Sequence, residues 1–226
     1  MSFYKSQSGS VLIYILIAVA LFAALGMVVT NMMRGSGSVG GEKDGIFVSE
    51  ILSYSSALRD ALQLIKISNG CEDTKISFER PPFDGTDKDY VNLNAPYNKK
   101  CHVFHPEGGA VGYQDLFQDK RWVITTAFGV DGIGSAAPEL TAVLPVSRAV
   151  CEIINTRSGV SNDAIVAGTR VDDGAEEGNI LKPFQGEYEG KATLNLPQYK
   201  GMMTGCYLAE KSDGKIYSAY QVLGAL

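Results

Sequence analysis

Val11 to Thr30 reads VLIYILIAVALFAALGMVVT, a run without one charged side chain. At about 1.5 Å per helical residue, some 20 apolar residues span the hydrocarbon core of a bilayer. The run therefore reads as a transmembrane helix over 10–34, and a purely cytosolic globular protein is a poor fit. General chemistry allows two accounts of it. In a cleaved secretory signal, Lys5 supplies the basic region, Val11 to Leu25 the apolar stretch, and Ala24 and Gly26 small residues for a cut. Yet the apolar run continues through Val29, which is long for such a signal. In an uncleaved anchor, Lys5 and Arg34 flank the helix, and one cation on each side makes a weak orientation signal.

The rest of the chain sets the context. It has 226 residues, a net charge of −5, 45% hydrophobic residues and 20% charged ones. That length suits one domain with an appendage or two small domains, and the hydrophobic fraction suits a packed core rather than disorder. A pI near 5.1 with no Lys/Arg block argues against nucleic-acid binding, which needs a basic footprint. The mean hydropathy of +0.01 averages an apolar N-terminus with a polar remainder.

Outward from the anchor, Gly35 to Gly41 (GSGSVGG) has linker chemistry and little helix propensity, which defines a Gly-rich linker over 35–45. A helix is expected next. Phe47, Ile51, Tyr54, Leu58, Leu62 and Ile65 recur at three- and four-residue steps, making one apolar stripe suited to packing on a sheet. Asp44 can cap its start, and Asn69-Gly70 can end it. Beyond Cys71 the chain turns rich in Pro, Gly, Asn and Asp, with short β-prone pieces at Ile76–Phe78, Tyr90–Leu93 and His102–Phe104. Trp122 to Val130 is a stronger strand candidate. Leu140 to Asn155 reads as a second helix, irregular at Pro145. Cys206–Ala209 and Lys215–Val222, joined through Lys211 to Gly214, form the clearest hairpin. A helix followed by turn-rich strands makes 46–226 an α+β head with antiparallel pairing. No internal repeat is visible.

Cys71, Cys101, Cys151 and Cys206 form no C-x-x-C pair, so zinc-ribbon and thioredoxin-like readings lose their usual support. An even number at wide spacing, behind a membrane signal, favours two disulfides in an oxidising compartment. Three pairings exist. Cys71–Cys101 with Cys151–Cys206 is favoured, because each bond closes one local unit and stabilises it by roughly 3–5 kcal/mol.

Candidate chemistry is sparse. Gly132-Ile-Gly134-Ser-Ala-Ala137 mimics a dinucleotide fingerprint, with Glu152 further on, but the alternating strands and helices of such a domain are missing. An ordinary strand-to-helix turn is the preferred reading. Cys101-His102-Val-Phe-His105-Pro-Glu107 gathers metal-ligand types, but on a strand the two His would face opposite sides. The acidic loops Asp84-Gly-Thr-Asp87-Lys-Asp89 and Asp172-Asp173-Gly-Ala-Glu176-Glu177 offer hard oxygens for Ca²⁺ without EF-hand spacing, and read as solvated turns. No catalytic residue, metal site or cofactor is expected, and no enzyme.

One local stretch carries a family resemblance. Lys5-Ser-Gln-Ser-Gly9-Ser10-Val-Leu-Ile-Tyr14 resembles the start of a type IV prepilin or pseudopilin. The resemblance implies a polar leader over 1–9, cut after Gly9 by a prepilin peptidase to leave Ser10 as the new N-terminus. It implies a helix that sits in the inner membrane and then in a filament core, and an extracytoplasmic head often stapled near its C-terminus. Other pilin-like subunits, the membrane assembly machinery and the bilayer are the implied partners, with no nucleic acid. The family usually has Phe or Met first and Glu fifth in the mature chain, where this chain has Ser10 and Tyr14. The expectation is therefore a minor structural subunit of a pilus or secretion filament, the alternative being a membrane-anchored binding or adhesion domain unrelated to pili.

Overall fold

The computed structural model describes residues 14, 15, 17, 19, 39–115, 121–135, 138–175, 181–188, 190, 192–211 and 214–224. Most of the expected transmembrane helix, the leader and the Gly9–Ser10 junction lie outside the described residues. Tyr14, Ile15, Ile17 and Val19 are helical, with exposed side chains. Among the described residues, no helix is long and apolar enough to cross a membrane. The chain divides into two compact units, Met1–Lys43 and Asp44–Leu226.

Helix α1 spans Val39–Asn69. Its inward stripe is the expected one: Ile51, Tyr54, Leu58, Leu62 and Ile65 are buried, joined by Val48 and Ala61, with Phe47 partly buried. Gly70 stops the helix in the left-handed region at φ 64, where a side chain is disfavoured. The start differs from expectation. Helix begins at Val39, so the second half of the supposed linker is helical and Asp44 lies inside the helix, not at its cap. Tertiary contacts supply what propensity lacks. The Arg157 guanidinium donates to the Gly45 carbonyl at 3.1 Å and to Ser49 Oγ at 2.7 Å.

The expected strand over Trp122 to Val130 is two short ones, β1 (Val123–Thr125) and β2 (Phe128–Val130), broken at Thr126-Ala127. The expected helix from Leu140 to Asn155 needs a larger correction. Leu140–Val146 is strand β3, and helix α2 covers only Arg148–Ser158. β3 is buried along nearly its whole length, so its sequence is apolar on both faces apart from Thr141, without the alternation that marks a half-buried strand. Pro145 is tolerated because β1 pairs only with residues 141–143, leaving 144–146 a partner on one side alone. Ser147 Oγ caps α2 by accepting from the Val150 N–H at 3.3 Å. A short α3 (Asp163–Ala167) and β4 (Ala192–Leu194) follow. The expected terminal hairpin is present as β5 (Thr204–Lys211) and β6 (Gly214–Gly224).

The main sheet is four-stranded in the order β1-β3-β6-β5, and every pairing in it is antiparallel. β2 and β4 form a separate parallel pair. The pieces at Ile76–Phe78 and His102–Phe104 are not strands; they share one parallel bridge, Ser77 with His102. Tyr90–Leu93 lies in turns and irregular backbone. Side-chain alternation then builds two cores. Ala142, Leu144, Cys206, Leu208, Ala219 and Leu223 meet the apolar faces of α1 and α2. Val143, Tyr207, Ala209, Tyr220 and Val222 face the other way, onto Phe128, Val130 and Leu194 of the small sheet. The head is thus an α+β three-layer arrangement: helices, antiparallel sheet, small parallel pair.

Candidate functional site

The cysteines pair as Cys71–Cys101 and Cys151–Cys206, across 30 and 55 residues, the pairing favoured from the sequence. Cys71 follows the end of α1, and its partner leads into the Ser77–His102 bridge, where the Ser77 N–H donates to the Cys101 carbonyl at 3.0 Å. Cys151 on α2 bonds Cys206 on β5. One helical turn beyond Cys151, the Asn155 amide accepts from the Cys206 N–H at 2.7 Å and donates to the Cys206 carbonyl at 2.9 Å. A fully buried side chain thus caps the edge strand as a neighbouring backbone would. Sequence reasoning passed over Asn155; its signal was the four-residue step from Cys151 on one helix face.

The other sheet edge is closed in the same manner. Tyr90 Oη accepts from the Ile124 N–H at 3.1 Å, and the Phe184 N–H donates to the Ile124 carbonyl at 2.8 Å. On β5, the Leu208 carbonyl accepts from Val171 N–H at 2.8 Å. Side chains and loops therefore occupy central backbone groups of both edge strands, which blunts strand addition by another chain.

The loops that offered ligand types use them internally. Arg80 holds Asp87 through its backbone N–H at 3.0 Å, Nε at 2.8 Å and Nη2 at 2.5 Å, and reaches Asp89 at 3.0 Å. Burial pushes the Asp87 carboxyl up, but the Arg80 hydrogen bonds and charge outweigh it and hold it below the ordinary range. Asp84 Oδ1 accepts from Thr86. Asp173 is buried and accepts from Tyr207 Oη at 3.0 Å; Glu176 and Glu177 lie outside the described residues. The two His part company: His102 is buried beside Glu79, while His105 packs edge-on against Phe83. Among the described residues, no three metal-ligand side chains gather.

The Gly132–Gly134 segment turns through positive φ at 80° and 57°, and it leads into strand β3 rather than a helix. This corrects the strand-to-helix reading, and a phosphate-binding helix N-terminus does not follow it. Behind the turn, Glu139 is buried and accepts from Val130 N–H at 2.7 Å, and burial raises its pKa. An open cavity of about 450 Å³ lies between Val91–Asn94 and Lys182–Glu187.

These features define a disulfide-stapled α+β head whose Arg80–Asp87 and Tyr207–Asp173 groups are partnered within the fold. Comparison with protein-family models, curated proteins and solved structures finds no match.

Proposed function

We propose that this chain is a minor structural subunit of a type IV pilus-like or type II secretion pseudopilus-like filament, held in the inner membrane before assembly. The observation that carries the reading is the Gly9–Ser10 junction placed directly before the apolar run Val11 to Thr30. The order of elements supports it: apolar segment, amphipathic α1, antiparallel sheet, and a terminal hairpin held by Cys151–Cys206. Its partners are other pilin-like subunits, the assembly machinery and a prepilin peptidase. Tyr14, where the family usually carries Glu, favours a minor subunit. The same residue favours the second reading, an anchored extracytoplasmic binding or adhesion domain outside any filament.

The mature N-terminus separates these accounts. Sequencing of the protein from its native host is expected to begin at Ser10, with Gly9→Ala abolishing that cut. A chain beginning at Met1 makes it a plain anchor, and one beginning near Met27 a secreted domain; either overturns the filament reading.

A further inference from the structure

The loop between Ile76 and Val111 carries a buried charge cluster that nothing above employs. Glu79 is only 3% exposed. Its Oε1 accepts from the Gly85 N–H at 2.6 Å, and its Oε2 lies 3.1 Å from Lys99 Nζ and 3.4 Å from His102 Nδ1. One carboxylate therefore ties together three separate stretches of the loop. His102 is also 3% exposed, and its Nδ1 makes no hydrogen bond among the described residues. The non-glycine residues with positive φ among the described residues are Phe83 (62°), Lys99 (58°) and Ala110 (53°), and all of them belong to this loop. Side chains rarely adopt that conformation, so the closed loop holds strain that its tertiary contacts must offset.

We propose that residues 76–111 form an acid-released clasp, in which Glu79 holds the loop closed around a neutral His102 and the charging of His102 opens it. The opening releases the stretch that displays Leu93 and Tyr97, both almost wholly exposed large side chains. The Cys71–Cys101 bond keeps Cys101, the residue before His102, tied to the end of α1, so the opening is local.

The charge balance sets the direction. Burial is the largest influence on His102, and the positive charge of Lys99 and the neighbouring His105 add to it; Glu79 opposes them and is outweighed. The folded imidazole is thereby lowered to about 4. In an open loop it returns to the ordinary value near 6.5. A depressed folded value means that the closed state is fully favoured above about 6.5 and loses its advantage as pH falls toward 4. On these values the opening constant is about 30-fold larger at pH 5 than at pH 7.5.

Hydrogen exchange of the full chain in detergent micelles tests this, with rates corrected for intrinsic pH dependence. Peptides covering 76–111 are expected to lose protection by about 30-fold between pH 7.5 and pH 5, while the β5–β6 hairpin holds its own. His102→Gln, which cannot charge, is expected to abolish the pH effect, and Glu79→Gln to leave the loop open at both pH values. Equal protection of 76–111 at the two pH values, or an undiminished pH effect in His102→Gln, overturns the proposal. Because a buried substitution can unfold the loop, the native His102 ring is also titrated by NMR. A midpoint below 5 is expected, and one at or above 6 overturns the clasp.

Discussion

Asn155 shows how a single side chain secures an edge. Its amide has two functions on β5, accepting from the Cys206 N–H and donating to the Cys206 carbonyl, in a place that water does not reach. Removing one partner of a buried hydrogen bond leaves the other unsatisfied, at about 1–3 kcal/mol each. The Cys206 carbonyl retains Tyr199 Oη at 3.1 Å, so its loss is partly offset, whereas the Cys206 N–H gives up its 2.7 Å bond to the amide oxygen. Asn155→Ala is therefore expected to destabilise the head by about 2–4 kcal/mol, read as a lower urea midpoint with unchanged slope. A shift below about 0.5 kcal/mol would mean that the amide is not the edge cap described. A disulfide-intact comparison is essential, since Cys151–Cys206 joins the same two elements.

At the scale of elements, α1 offers a sharp contrast between its two sides. Leu58 is 0% exposed against the sheet, while Leu64 is half exposed. Truncating a buried leucine costs about 2–5 kcal/mol, and a surface one rarely more than about 0.5. Leu58→Ala and Leu64→Ala measured side by side by urea denaturation should differ accordingly; equal effects would deny the packing of α1 on the sheet. That stripe was legible in the sequence because 3.6-residue periodicity survives wherever only one side of an element is buried. The hairpin was legible too, since Lys211 to Gly214 separates two β-prone runs. β3 was not. Buried on both faces, Leu140–Val146 carries no period, and its proline then reads as a helix irregularity. The start of α1 was hidden for another reason: the contacts from Arg157 to Gly45 and Ser49 come from residues more than a hundred positions away. The Glu79 cluster was likewise invisible, because Glu79, Lys99 and His102 meet only when a turn-rich loop folds back on itself.

On the scale of the whole molecule, the head and the apolar segment divide the work. The head is internally complete: two disulfides, two cores and blunted strand edges leave assembly by strand addition disfavoured. In a filament the joining surface would then be helical, and Val11 to Val29 is the segment with the chemistry for it. Apolar helices in lipid gain little hydrophobic drive from meeting one another, so association rests on close packing through small residues such as Ala18, Ala20, Ala23, Ala24 and Gly26. Tyr14 supplies a hydroxyl where the resemblance leads one to expect a carboxylate, so the strong ionic contact with a neighbour's N-terminal amine is not available to this chain. On the filament reading, substoichiometric incorporation and poor self-assembly are the expected outcome. Replacing Val11 to Val29 with an unrelated apolar helix of equal length, with Gly9 and Ser10 retained and membrane insertion verified, separates packing from tethering. On the filament reading, this swap abolishes filament or secretion function although the head stays folded and anchored. Retained function in the swapped chain, or abundant homopolymer from the native one, would leave the segment a simple tether and the filament reading without its carrier.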